Sequence, residues 1–124
     1  MKIVYISGPY SAKTTEEVAR HVAVAEETAM QVLHAGHVPI VPHRINQKWM
    51  DDERFLDYTL NDWLTRLCLP LLEKCDAILM LPGWELSVGA VMESNRAVEE
   101  SIPVFYSVDA LLSAFPARGK NSSR

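Results

Sequence analysis

The stretch of this chain best equipped for chemistry runs Leu81-Pro82-Gly83-Trp84-Glu85-Leu86-Ser87-Val88-Gly89-Ala90-Val91-Met92-Glu93. Ser87, Gly89 and Glu93 are spaced as at a helix start. The serine can cap, the glycine leaves room for a ligand, and the carboxylate follows about one and a half turns on. A helix N-terminus favours negative charge, so a carboxylate near it is helped to stay ionised and to act as a nucleophile. The free N–H groups around Ser87 to Ala90 can accept a phosphate in the same place. Glu93 is therefore the expected catalytic residue, against the plainer reading of a solvated helix glutamate. Ser87 is expected both to cap its helix and to touch a ligand.

These groups need elements to position them. Ala77 to Leu81 reads as a buried strand ahead of Pro82-Gly83, and Val88 to Glu100 as the helix that follows. The rest of the chain alternates in the same way. Ile3 to Ser7 is a strand stopped by Gly8-Pro9. Thr14 to Ala35 is a helix with a Thr14/Glu17 capping box, a core face of Val18, Val22, Ala25, Ala29 and Val32, and Gly36 at C′. Val38 to Val41 is a second strand, with Pro39 marking an edge. Pro42 to Arg54 reads as a polar loop. Phe55 to Lys74 reads as a helix kinked or broken near Leu69 by Pro70. Asp76 to Leu81 is the third strand, Pro103 to Ser107 the fourth, and Val108 to Phe115 a short closing helix.

The expected fold class is α/β, a flavodoxin- or Rossmann-like three-layer sandwich around a four- to five-stranded parallel sheet in the order 2-1-3-4. Its switch point, between the first and third strands, gathers the loops 7–15 and 82–87, where open α/β sheets bind small molecules. Residues 1–116 are expected to form a single domain and 117–124 a flexible polar tail.

Composition narrows the possibilities. A chain of 124 residues fits one domain. A net charge of −4 with scattered basic residues argues against a general nucleic-acid binder. No apolar run approaches the ~20 residues that span a bilayer, so no membrane association is expected. The N-terminus enters a strand without a signal-peptide layout, which makes a cytoplasmic protein the expectation. On one helix Cys68 and Cys75 would lie about 10.5 Å apart along the axis. That is too far for a bridge, so they read as reduced thiols. His21, His34 and His37 lack metal-ligand spacing, and neither a metal nor an organic cofactor is expected. Gly8-Pro9-Tyr10-Ser11-Ala12-Lys13-Thr14 ends in Lys-Thr but lacks the second glycine of a P-loop.

Three patterns resemble the nucleoside 2-deoxyribosyltransferase and deoxynucleoside 5′-monophosphate N-glycosidase superfamily, particularly its short phage and bacterial members. They are Tyr5-Ile6-Ser7-Gly8-Pro9-Tyr10-Ser11; Gly36-His37-x-Pro39-x-x-Pro42-His43; and Cys75-Asp76-Ala77 followed by Leu81-Pro82-Gly83-Trp84-Glu85-x-Ser87-x-Gly89-Ala90-x-x-Glu93. The third is the most specific, and together they span roughly residues 2–107. The resemblance implies N-glycosidic bond chemistry, with Glu93 attacking the sugar C1′, displacing the base and leaving a glycosyl-enzyme. Water would then complete a hydrolysis, or a second base a transfer, on a (deoxy)nucleoside or nucleoside 5′-monophosphate. It implies a base and sugar site lined by Ser7, Gly8, Pro9 and Tyr10, and a 5′-phosphate or 5′-hydroxyl site at Ser87 and Gly89. It also implies a homodimer or higher homo-oligomer.

His43 and Trp84 complete the expected substrate-binding set, each with a plainer alternative. His43 could be a loop histidine bonded to the backbone. Trp84 could be a lid or subunit contact rather than a stacking platform. Trp49, Trp63 and Phe55 read as core or subunit contacts, Asp76 as a partner for loop amides. The chain departs from the family pattern at Cys68, where members carry an aspartate that assists the leaving base or orients the nucleophile. Asp62 lies about 600° of helical rotation from Cys68, 240° net, and faces elsewhere on a regular helix. A non-catalytic nucleotide-binding module is the alternative reading, and a flavodoxin-type flavin or phosphate binder using the loop 7–15 a further one.

Overall fold

Four short strands make one all-parallel sheet in the expected order, with β1 (Ile3–Ser7) and β3 (Ala77–Met80) central and β2 (Val38–Ile40) and β4 (Val104–Phe105) at the edges. Around it lie the helices α1 (Thr15–His34), α2 (Pro42–Trp49), α3 (Leu60–Trp63), α4 (Leu69–Leu72), α5 (Val88–Glu99) and α6 (Val108–Ala114). This computed structural model describes residues 1–119. Among them no helix is long and apolar enough to cross a membrane.

Strand alternation sorts the side chains of β1 between two layers. Val4 and Ile6 pack with Ala25, Ala29, Val32 and Leu111, from α1 and α6. Tyr5 packs on the other side with Leu64, Leu72, Ala90 and Ala97. Ser7 shares the parity of Tyr5, so β1 turns two hydroxyl groups toward α5. Ala90, Glu93 and Ala97 lie on the buried face of α5 at helical spacing.

Two segments differ from the sequence expectation. Pro42 to Trp49, expected as loop, is α2. Its few apolar residues, Pro42, Ile45 and Trp49, do recur at helical spacing, but the segment is short, mostly polar and without a side-chain cap; Pro42 at its first turn has φ preset for a helix. The expected helix Phe55 to Lys74 is three pieces: a 3₁₀ turn at Glu53–Phe55, α3 starting at Leu60, and α4 ending at Leu72. Thr59 and Asp62 form a reciprocal capping box that starts α3 late. Between α3 and α4 runs a π-helical turn, Leu64–Cys68, in which the Leu69 N–H donates to the Leu64 carbonyl. The expected disturbance from Pro70 takes this form. Proline has no N–H and its ring crowds the carbonyl of residue 66, so the helix widens by one residue just ahead of it.

Residues 117–119 return to the end of α1, where the Arg118 N–H donates to the Ala35 carbonyl at 2.6 Å. The rest of the expected tail, 120–124, lies outside the described residues.

The loops after β1 and β3 touch. Leu81 N–H donates to the Ser7 carbonyl at 2.7 Å, and a Cβ on Gly8 would meet Leu81 Cβ at 2.6 Å. Nothing larger than glycine fits at position 8 unless one loop moves. Gly8→Ala is expected to cost about 1–3 kcal/mol, the usual size of an overpacking penalty. Urea unfolding would show this as a lower midpoint with an unchanged slope; an unshifted midpoint would mean that the loops have slack.

Candidate active site

The Glu93 carboxylate, 7% exposed, lies at the base of a cleft of about 780 Å³ over the carboxyl edge of the sheet. Tyr5 and Ser7 on β1 hold its two oxygens. The Tyr5 hydroxyl donates a short hydrogen bond to Oε2, and the Ser7 hydroxyl donates to Oε1 at 2.6 Å. Burial pushes the Glu93 carboxyl above the ordinary carboxylate range, and the bonds from Ser7 and Tyr5 oppose that shift. Burial, with the Glu93 charge beside it, pushes the Tyr5 hydroxyl well above its usual value, so it remains a donor. A carboxylate with two donors and an open cleft in front of it is equipped to attack an electrophilic carbon.

Cys68 closes the same group. Its thiol engages the Tyr5 hydroxyl, and burial together with Glu93 raises its pKa to about 11. It is thus a neutral thiol at the position where the sequence resemblance implies an aspartate. Asp62 gives no substitute, because its carboxylate accepts from the Thr59 N–H at 2.9 Å and the Thr59 hydroxyl at 3.1 Å. Leu64 and Cys68, four residues apart and so on one face of the helix, both line the cleft.

The start of α5 forms another wall. Ser87 caps it as expected, its Oγ accepting from the Ala90 N–H at 3.2 Å. The N–H groups of Val88 and Gly89 have no intrahelical acceptor. Gly83, at φ 84°, takes the left-handed turn out of β3 that only glycine adopts readily. Opposite, His43 Nε2 bonds the Pro9 carbonyl at 3.1 Å, and His21 Nδ1 bonds the Tyr10 carbonyl at 3.0 Å. His43 is thus backbone-bonded, as its plainer reading had it, and it lines the cleft as well. Phe55, Tyr58 and Trp63 form an aromatic cluster with centroids 5.1–5.4 Å apart, and Tyr58 and Trp63 present it to the cleft.

Of the expected substrate-binding set, Gly8, Pro9, Tyr10, His43, Ser87 and Gly89 line the cleft together with Glu93. Ser7 and Trp84 do not. Ser7 is fully buried and its hydroxyl is committed to Glu93. Trp84 opens a 3₁₀ turn, Trp84–Leu86, and packs against Tyr106 with ring centroids 5.9 Å apart, while Leu86 takes its place at the cleft. Asp76 accepts from the Ile3 N–H at 2.8 Å, the amide-satisfying part expected of it. Sequence reasoning missed Tyr5 and Asn46. The parity shared by Tyr5 and Ser7 was the available signal for the first; the second sits on a helix read as loop. Cys68 and Cys75 are both free and buried, in keeping with reduced thiols.

Among solved structures, a 2-deoxyribosyltransferase from the psychrotolerant bacterium Bacillus psychrosaccharolyticus is similar, with a TM-score of 0.59 and 20% sequence identity. The alignment covers 82% of this chain and 69% of that one, and establishes a shared fold. A search of curated proteins returns no match. The family described as a domain of unknown function, DUF7768, matches residues 2–107, and the chain belongs to that family.

Proposed function

We infer that this protein breaks the N-glycosidic bond of a (deoxy)nucleoside or nucleoside 5′-monophosphate, as a hydrolase or a base-exchange transferase. The single observation that carries this reading is the buried Glu93 carboxylate, held by Tyr5 and Ser7 and facing a cleft of small-molecule size. The fold shared with a 2-deoxyribosyltransferase supports it.

Glu93 attacks the sugar C1′ as the base departs with the bonding electron pair, leaving an ester between sugar and enzyme. The neutral Cys68 thiol, at a pKa of about 11, is a weak acid, so the departing base takes its proton from water in the open cleft. Water or a second base then attacks C1′, its proton passing to the hydroxide left by the first step, and Glu93 leaves as a carboxylate. The donors on Tyr5 and Ser7 stabilise that charge as it reappears. None of the described cleft-lining residues is Lys or Arg, so a 5′-phosphate would rest on the first turn of α5.

The test is release of free base from a panel of deoxynucleosides and their 5′-monophosphates, followed by chromatography. Intact-mass measurement of quenched enzyme, with peptide mapping, should place a sugar adduct on Glu93. Cys68 in the position of an acid favours the second reading, a nucleotide-binding module without turnover. Calorimetric binding of the panel with no base released would establish that instead.

A further inference from the structure

Two buried polar atoms on α2 have no partner: His43 Nδ1 and Asn46 Oδ1. Both residues line the cleft, and His43 is only 4% exposed. Three residues apart on a helix, they are neighbours on one face. Because His43 Nε2 faces the Pro9 carbonyl, that nitrogen carries the proton and donates. Nδ1 is left as a bare acceptor. Burial lowers the His43 pKa, so the ring stays neutral and keeps that lone pair. Asn46 adds a second acceptor beside it. Buried acceptors without donors are costly and uncommon, and two in one wall call for a ligand that brings N–H groups.

We propose that His43 and Asn46 read the substrate base through an exocyclic amino group. An amino group supplies two N–H donors to a wall that offers two acceptors. A carbonyl oxygen in its place would set a third acceptor against them and leave all three unpaired. The inference rests on the glycosidase reading for the substrate class, but the base subsite can be tested without turnover.

The experiment compares pairs in which an amino group is lost: deoxyguanosine against deoxyinosine, where hydrogen replaces it, and deoxyadenosine against deoxyinosine and deoxycytidine against deoxyuridine, where a carbonyl replaces it and the adjacent ring nitrogen gains a proton. Cleavage should favour the amino-bearing member of at least one pair by about 10- to 100-fold in kcat/KM, the size expected when buried acceptors are left unpaired. Asn46→Leu should shrink that ratio toward one, whereas Asn46→Asp, which keeps an acceptor, should retain it. His43→Phe should also shrink it; because that change removes the bond to Pro9 as well, the Asn46 pair decides. Calorimetry with the free bases, adenine and guanine against hypoxanthine and cytosine against uracil, gives the second readout. Amino-selective binding without cleavage would sink the glycosidase reading and leave this one standing. Equal handling within every pair, a ratio unmoved in Asn46→Leu, or no binding of any free base would overturn it.

Discussion

Glu93→Gln is expected to abolish base release, by a factor on the order of 10⁴ to 10⁶, and to make the protein more stable at neutral pH. The first effect follows from removing the group proposed to form the sugar ester, and losses of this order accompany loss of a nucleophile elsewhere. The second follows from burial. The Glu93 carboxyl is raised above its ordinary value in the fold, so the native state holds that proton more tightly than the unfolded chain does. Stability from this group is complete below the unfolded value and is lost as the pH rises through the folded one. Glutamine has the shape of the protonated acid and never ionises. Its advantage should therefore be present at neutral pH and shrink as the pH falls toward the unfolded value. Thermal melts across that range should show a higher midpoint than the parent at neutral pH, converging on the parent as the pH falls. A variant that releases base like the parent, or melts earlier at neutral pH, would refute the assignment.

Tyr5→Phe should lower kcat/KM by about 10²- to 10³-fold, the loss typical for one preorganised donor. The ring stays, so the packing of Tyr5 against Leu64, Leu72 and Ala90 is kept and the fold should survive. The pH profile separates electrostatic tuning from a packing role. Loss of the hydroxyl bond to Oε2 removes one of the interactions that favour the ionised carboxylate. The acidic limb of kcat/KM, which reports ionisation of Glu93, should then move to higher pH. A lowered rate with an unmoved limb would assign Tyr5 to packing alone.

The architecture was largely legible because its signals are local and repeat. β-branched strands, the Thr14 cap and the Gly36 stop each announce themselves within a few residues. Glu93 was legible for the same reason, since Ser87 and Gly89 mark the helix start beneath it. What stayed hidden depends on backbone geometry that composition does not encode. α2 is short and mostly polar and has no capping side chain, so its three apolar residues are easily passed over, and Asn46 with them. Pro70 announced a disturbance, but not that the segment would widen into a π-helical turn, nor that Cys68 would pack with Tyr5. Trp84 carried no signal of direction; contact with Tyr106, more than twenty residues on, decides it. Tyr5 reads as an ordinary core aromatic until its hydroxyl is seen beside a carboxylate.

Both donors to Glu93 sit on β1, a strand bonded along both sides by β2 and β3. Most of the wall a substrate would touch comes from elsewhere: the loop after β1, α2, the turn before α5 and the widened helix ahead of β3. The reactivity of the carboxylate is thus set by the centre of the sheet and the choice of guest by its surroundings. Exchanging a peripheral wall changes what is admitted while the tuning of the nucleophile stays as it was.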